Sequence, residues 1–181
     1  MLTQYDTTGN PIRITRPDGC ELLQDFDVMG RLLWRRSSTQ GGSACPADDR
    51  AIDDRFAYDA RGLLTAAQNA HVGLLRDYDA LGRLTRETDD RFASSIAYQY
   101  DAASRLTAKV YPDGSLLHVA HDAAGRPVGI TDPTGDTTRY VYDPAGRRVQ
   151  TRSTASAIRS ELGYDPLGRL ESIASFRSNG S

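Results

Sequence analysis

A six-residue design, Tyr-Asp-x-x-Gly-Arg, recurs along the whole chain and restricts it to a tandem-repeat architecture. It stands intact at Tyr78-Asp79-Ala80-Leu81-Gly82-Arg83, Tyr142-Asp143-Pro144-Ala145-Gly146-Arg147 and Tyr164-Asp165-Pro166-Leu167-Gly168-Arg169. Looser copies are Tyr5-Asp6-Thr7-Thr8-Gly9, Phe26-Asp27-Val28-Met29-Gly30-Arg31 and Tyr58-Asp59-Ala60-Arg61-Gly62. Tyr100-Asp101-Ala102-Ala103-Ser104-Arg105 and His121-Asp122-Ala123-Ala124-Gly125-Arg126 bring the total to eight. The aspartates at 6, 27, 59, 79, 101, 122, 143 and 165 are separated by 21, 32, 20, 22, 21, 21 and 22 residues. One unit has been duplicated, and the long step holds an insertion near 37–48.

The motif has a turn's chemistry. Asp at the first position of a type I turn accepts backbone hydrogen bonds through its carboxylate, and Pro suits the second position because its φ is fixed. Gly follows where the chain needs a positive φ to leave the turn through a bulge. Ser104 stands in that glycine slot, at a cost on the order of 1 kcal/mol. A second turn lies half a repeat away, at Arg16-Pro17-Asp18-Gly19, Tyr111-Pro112-Asp113-Gly114 and Asp132-Pro133-Thr134-Gly135. Each repeat therefore reads as two short strands joined by two tight turns of similar chemistry.

Between turns the residues alternate with the period of a half-buried strand. Leu106, Ala108 and Val110 share one face of their segment; Leu117, Val119 and His121 share a face of theirs, as do Tyr140 and Tyr142. His121 takes the slot that Tyr holds elsewhere, which favours packing over chemistry. Strands are expected at 83–88, 96–100, 105–111, 115–121, 126–131, 137–142 and 147–152, in an all-β protein built of tandem hairpins forming one long twisted antiparallel sheet. A four-bladed propeller with two repeats per blade is the rival architecture. The array is expected to occupy 1–170, followed by a C-terminal tail at 171–181 whose first residues, Glu171 to Arg177, have the composition of one more strand and whose last four fray.

Composition narrows the function classes. Of 181 residues, 39% are hydrophobic and 25% charged, and no run approaches the roughly 18 apolar residues of a membrane-spanning helix. The first repeat starts at Tyr5, leaving no room for a signal peptide, so any export is expected by a specialised route or within a longer protein. The net charge of −2 gives no general attraction for nucleic acid. Of the 22 basic residues only Lys109 is lysine, and Arg31, Arg83, Arg126, Arg147 and Arg169 follow turn glycines. Each is read as laying its stem over the sheet and pairing with a nearby Asp.

Other features carry less. Ser37–Pro46 is polar and glycine-rich, the composition of a surface loop. Cys20 and Cys45 match no metal spacing and are taken as free thiols. Trp34 reads as a wall or core residue. Asp53-Asp54 and Asp89-Asp90 lack the alternating acidic pattern of a calcium loop and read as turn and strand-edge residues. His71, His118 and His121 form no hydrolase or zinc motif, and no phosphate loop occurs. The turn aspartates form a structural population. No catalytic, metal-ligating or cofactor-binding set is expected.

Tyr-Asp-x-x-Gly-Arg-Leu at a period near 21, with Pro-Asp-Gly at mid-repeat, resembles the RHS/YD-repeat family from Tyr5 to Leu170. The resemblance implies β-hairpins joined edge to edge in one long sheet. In complete members that sheet coils into a hollow shell around a C-terminal toxin or other cargo, in bacterial polymorphic toxins, insecticidal toxin complexes and secretion-system effectors. Related shells occur in cell-surface adhesion proteins. The toxin-releasing members end their shell with a longer segment bearing an aspartyl self-cleavage site. Asp143-Pro144-Ala145-Gly146 and Asp165-Pro166-Leu167-Gly168 match only its Asp-Pro-x-Gly fragment. Eight repeats, about 16 strands at ~4.8 Å spacing, make a wall on the order of 75 Å wide rather than a closed shell.

The expected function is that of a shell segment walling off a cargo or toxin domain absent from this chain. Its expected partners are the remaining shell repeats or another shell subunit, and the enclosed cargo. The alternative is a cell-surface module binding glycan or protein through the array or the Ser37–Pro46 loop.

Overall fold

The computed structural model describes residues 1–39 and 52–177, Thr39 by its backbone alone. Among these residues there is no helix. Sixteen strands form one sheet in which spatial order equals chain order, so every pairing is a hairpin or its continuation. The chain divides into two compact units, Met1–Ser95 and Ile96–Ser181.

The first unit carries β1 (Leu2–Tyr5), β2 (Pro11–Thr15), β3 (Cys20–Phe26), β4 (Leu32–Thr39), β5 (Asp53–Tyr58), β6 (Leu64–Gln68), β7 (Gly73–Tyr78) and β8 (Leu84–Asp89). Each pairs antiparallel with the next. The second unit carries β9 (Ser94–Tyr100), which begins just before the division, β10 (Leu106–Val110), β11 (Leu116–His121), β12 (Pro127–Thr131), β13 (Thr137–Tyr142), β14 (Arg148–Ser153), β15 (Ile158–Tyr164) and β16 (Leu170–Arg177). They too pair in unbroken succession. A propeller would break each unit into separate four-stranded blades. The continuous eight-stranded ladder within each unit rules that architecture out. The seven strands expected from the sequence lie within about two residues of those observed.

Several boundaries differ from expectation. Ser37, Ser38 and Thr39 are not loop but the end of β4, paired with Leu22, Glu21 and Cys20. The rest of the insertion lies outside the described residues. Residues 171–177 form the further strand that their composition indicated, most of β16, which pairs along its whole length with β15, so the array runs past 170; the last four residues lie outside the described set. Cys20 is disulfide-bonded and buried rather than a free thiol. Cys45 lies outside the described residues.

The second turn of each repeat is also less uniform than its sequence suggests. The three Pro-containing turns close as expected, with Gly19, Gly114 and Gly135 donating to Arg16, Tyr111 and Asp132 carbonyls. Elsewhere Asn69 accepts from the His71 and Val72 amides through its side chain. Two four-residue turns place alanine, not glycine, in the left-handed region: Ala93 at φ +49° and Ala157 at φ +49°.

Neither unit packs a second layer. The buried apolar residues among those described are Cys20 in the first and Ala108 in the second. A domain core normally needs two layers, so here the ladder hydrogen bonds and the turn motifs take a larger share of the stability.

Candidate functional site: the ladder of turns

All eight motif turns share one geometry. The residue in the glycine slot donates its N–H to the motif Asp carbonyl at 2.9–3.2 Å, and the Asp N–H donates to the carbonyl four residues on at 2.9–3.0 Å. The motif-turn glycines have φ between +76° and +90°, and Ser104, in the same slot, has φ +62°. Immediately beyond each turn the strand register slips at the motif aromatic or its partner strand, the bulge that a left-handed turn exit produces. That bulge sets Tyr78 opposite Leu84 and Tyr100 opposite Leu106.

The aspartates hold the turns shut from within. Oδ1 of each accepts the backbone N–H four residues on, at 2.8–3.0 Å, from Asn10 at the first turn through Arg169 at the last. Oδ2 accepts Nε of the motif arginine, at 2.6 Å for Arg83 and Arg105 and 2.7 Å for Arg147 and Arg169. These bonds favour the ionised carboxylate and lower its pKa. For Asp27, Asp59, Asp79, Asp101, Asp122, Asp143 and Asp165 the leading cause is the backbone N–H four residues on. For Asp6 the Asn10 side chain leads, and the pKa falls from 3.8 to about 2.

The arginine and tyrosine join one repeat to the next, a role the sequence reading missed. Within the first unit Arg31 stacks over Tyr58, 4.7 Å from its centroid; within the second Arg126 covers Tyr142 at 4.6 Å and Arg147 covers Tyr164 at 4.9 Å. Arg105 donates to the Asp122 carbonyl at 3.1 Å, and Arg147 contributes to the lowered pKa of Asp165. In return four of the motif tyrosine hydroxyls reach back to the preceding repeat. Tyr58 donates to Leu32 O at 3.1 Å, Tyr78 to Leu64 O, Tyr142 to Pro127 O and Tyr164 to Arg148 O, all three at 2.8 Å. In every case the acceptor is the residue just after the arginine slot.

Where the motif departs from type, the contacts are rebuilt. In the third repeat Leu63 occupies the arginine slot and lies 3.6 Å from where a Cβ on Gly82 would stand. Arg61, two positions earlier, bonds Asp59 Oδ2 at 3.0 Å and reaches the Asp79 carbonyl at 2.8 Å. In the first repeat Asn10 donates to Asp6 Oδ2 at 2.9 Å.

The remaining candidates have structural company. Asp54 bonds Arg35 Nε at 2.6 Å and Asn69 Nδ2 at 3.1 Å, and Asp90 accepts from Gln68. Arg36 lies over Trp34 at 5.2 Å. His118 and His121 are on opposite faces of β11. Among the described residues no group of three or more His, Cys, Asp or Glu is placed to hold a metal ion, and no helix is long and apolar enough to cross a membrane.

This geometry has a known owner. A family model described as RHS Repeat matches residues 78–116 and 121–158, the most regular part of the ladder. Those residues carry RHS repeats. No curated protein matches it. Among solved structures, the RHS array is similar to the crystal structure of TcdB2-TccC3-TEV, at 16% identity and a TM-score of 0.73, covering 97% of this chain and 10% of that one. It is also similar to a Photorhabdus luminescens Tc holotoxin pore, at 16% identity and a TM-score of 0.74, with the same coverage. The array thus spans about a tenth of the length of these chains, and the likeness is one of fold.

The tyrosine–carbonyl bonds yield a direct expectation. Tyr142→Phe removes one exposed hydrogen bond between neighbouring repeats while keeping the ring under Arg126, and destabilises by about 0.5 kcal/mol, the low end for a hydrogen bond. Urea melts of the two proteins measure it; equal midpoints would mean that the bond contributes nothing.

Proposed function

We propose that the RHS array is a wall segment of a larger shell that encloses a toxin or other cargo, completed by further repeats or by another shell subunit. The observation that carries this reading is where the motif spends its side chains. The motif Asp of every repeat closes its own turn, and Arg31, Arg126 and Arg147 with Tyr58, Tyr78, Tyr142 and Tyr164 bind the adjacent repeat, so these side chains are spent on making a continuous wall. The likeness of fold to Tc toxin chains supports the same role. In this reading the protein is made in a bacterial cytoplasm and leaves by a specialised secretion route or within a longer polypeptide. A glycan-binding role fits less well, because the rings of Tyr58, Tyr142 and Tyr164 are already covered by arginines.

Protease protection tests the proposal. The native RHS protein containing this segment is purified with its cargo and digested with a broad protease. The cargo is expected to persist in the intact protein and to be cut when the wall carries Gly146→Val. Cargo digested in the intact protein as fast as free cargo would overturn the reading.

A further inference from the structure

One row of side chains in the second unit sets like charges opposite one another across the ladder. In the first unit, mid-strand arginines face carboxylates across the ladder: Arg35 opposes Asp54 at 2.6 Å and Arg76 opposes Glu87 at 2.9 Å. In the second, Arg139 opposes Arg152, and Arg152 opposes Arg159. Three arginines thus stand side by side on one face of β13, β14 and β15, at the distance of adjacent strands, about 4.8 Å. Like charges directly opposite one another destabilise a sheet.

The row is only partly compensated. Arg139 and Arg152 are exposed, and their side chains make no ion pair or hydrogen bond among the described residues. Arg159 pairs with Glu161 at 2.8 Å, but its Nε has no partner. The other nearby acid, Asp136, is engaged by Thr154 at 3.1 Å and Thr134 at 3.3 Å.

The flanks of the row have a shape to match. Beyond Arg139 the same transverse row continues to Gly129 and Ala120, which leave a depression lined by His118, Thr131 and Thr137. Beyond Arg159 it ends on Phe176, whose ring lies 5.3 Å from the guanidinium.

We propose that the Arg139–Arg152–Arg159 row is a docking surface for an acidic polypeptide segment, whose carboxylates replace the missing cross-strand acids. Arginine's fork binds carboxylates in two-point geometry, and three adjacent forks between a small-residue trough and an aromatic favour a short Asp/Glu-rich peptide that also carries an apolar side chain. A nucleic-acid strand is the poorer match, since the array as a whole carries net negative charge. The inference does not depend on the shell reading.

Fluorescence anisotropy of a labelled Glu-rich peptide titrated with the 181-residue chain tests it. Arg139→Gln/Arg152→Gln is expected to weaken binding about tenfold, and added salt to weaken it further. Arg36→Gln/Arg55→Gln, the same charge removed from the first unit, should leave affinity within about twofold. Relief of like-charge repulsion should keep the melting temperature of the first double variant equal to or above the parent's. Absence of peptide binding, equal loss in both double variants, tighter binding of a single-stranded oligonucleotide of matched charge, or a clear drop in melting temperature would each overturn the proposal.

Discussion

Gly146→Val should destabilise the RHS array by roughly 1–2 kcal/mol or more, a larger effect than any polar substitution on its surface. The residue sits at φ +84°, where a β-branched side chain clashes with its own backbone. The substitution also acts on the neighbouring repeat. A Cβ at this position stands 3.7 Å from Nη1 of Arg126, the arginine that stacks on Tyr142, so the valine methyls crowd the joint between two repeats. Gly82→Val should behave alike, against Leu63 instead. The converse applies at Ser104, where φ +62° is already held by a non-glycine residue. Ser104→Gly should be neutral or slightly stabilising, since relief of strain offsets the entropy that glycine adds to the unfolded chain. Chemical denaturation of the three variants checks all of this, and silent glycine substitutions would contradict the turn geometry.

Acid should unfold the array through its turns. Each motif aspartate has a lower pKa folded than unfolded, because the turn N–H groups and the arginine or asparagine side chain bond the ionised form. For such a group the stabilisation is fully present above the unfolded value, 3.8, and is lost as pH falls through the folded value, which for Asp6 is about 2. Asp113 and Asp132 in the second turns are lowered too, by Ser115 and Thr134 side chains first. The melting temperature is therefore expected to be level from neutral pH down to about 4, then to fall steeply toward pH 2. Ten carboxylates acting in one window make the drop larger than a single ion pair gives. A melting temperature unchanged at pH 2.5 would mean that the turns hold without their carboxylates.

Much of this was legible because it is local. Asp143-Pro144-Ala145-Gly146 announces its turn within four residues, and period-two alternation placed β11 and β13 almost to the residue. What escaped depends on the approach of residues distant in sequence. Tyr142 reaches Pro127 and Arg126 stacks on Tyr142 only once the turns lie side by side. The motif told that Tyr and Arg matter to each repeat, but not that they bind adjacent ones. Arg61 was hidden differently: it sits out of register in the sequence yet its long side chain reaches the contact its slot demands. Turns closed by Ala93 and Ala157 carry no proline or glycine to mark them. Strand β16 follows the last motif and so is marked by composition alone, although a strand must still return from that turn to pair with β15. The arginine row needed the register itself, since only pairing shows that Arg139, Arg152 and Arg159 are neighbours.

The central claim is that this chain is a linear run of RHS hairpins whose strand order ends on β1 and β16 and never closes on itself. End strands present unpaired backbone groups and invite another chain, and β16 adds exposed Leu170, Ile173 and Phe176. Sedimentation velocity of the 181-residue chain across the micromolar range is the most direct test. Self-association that grows with concentration is the predicted result, and a single monomeric species at every concentration would contradict the account.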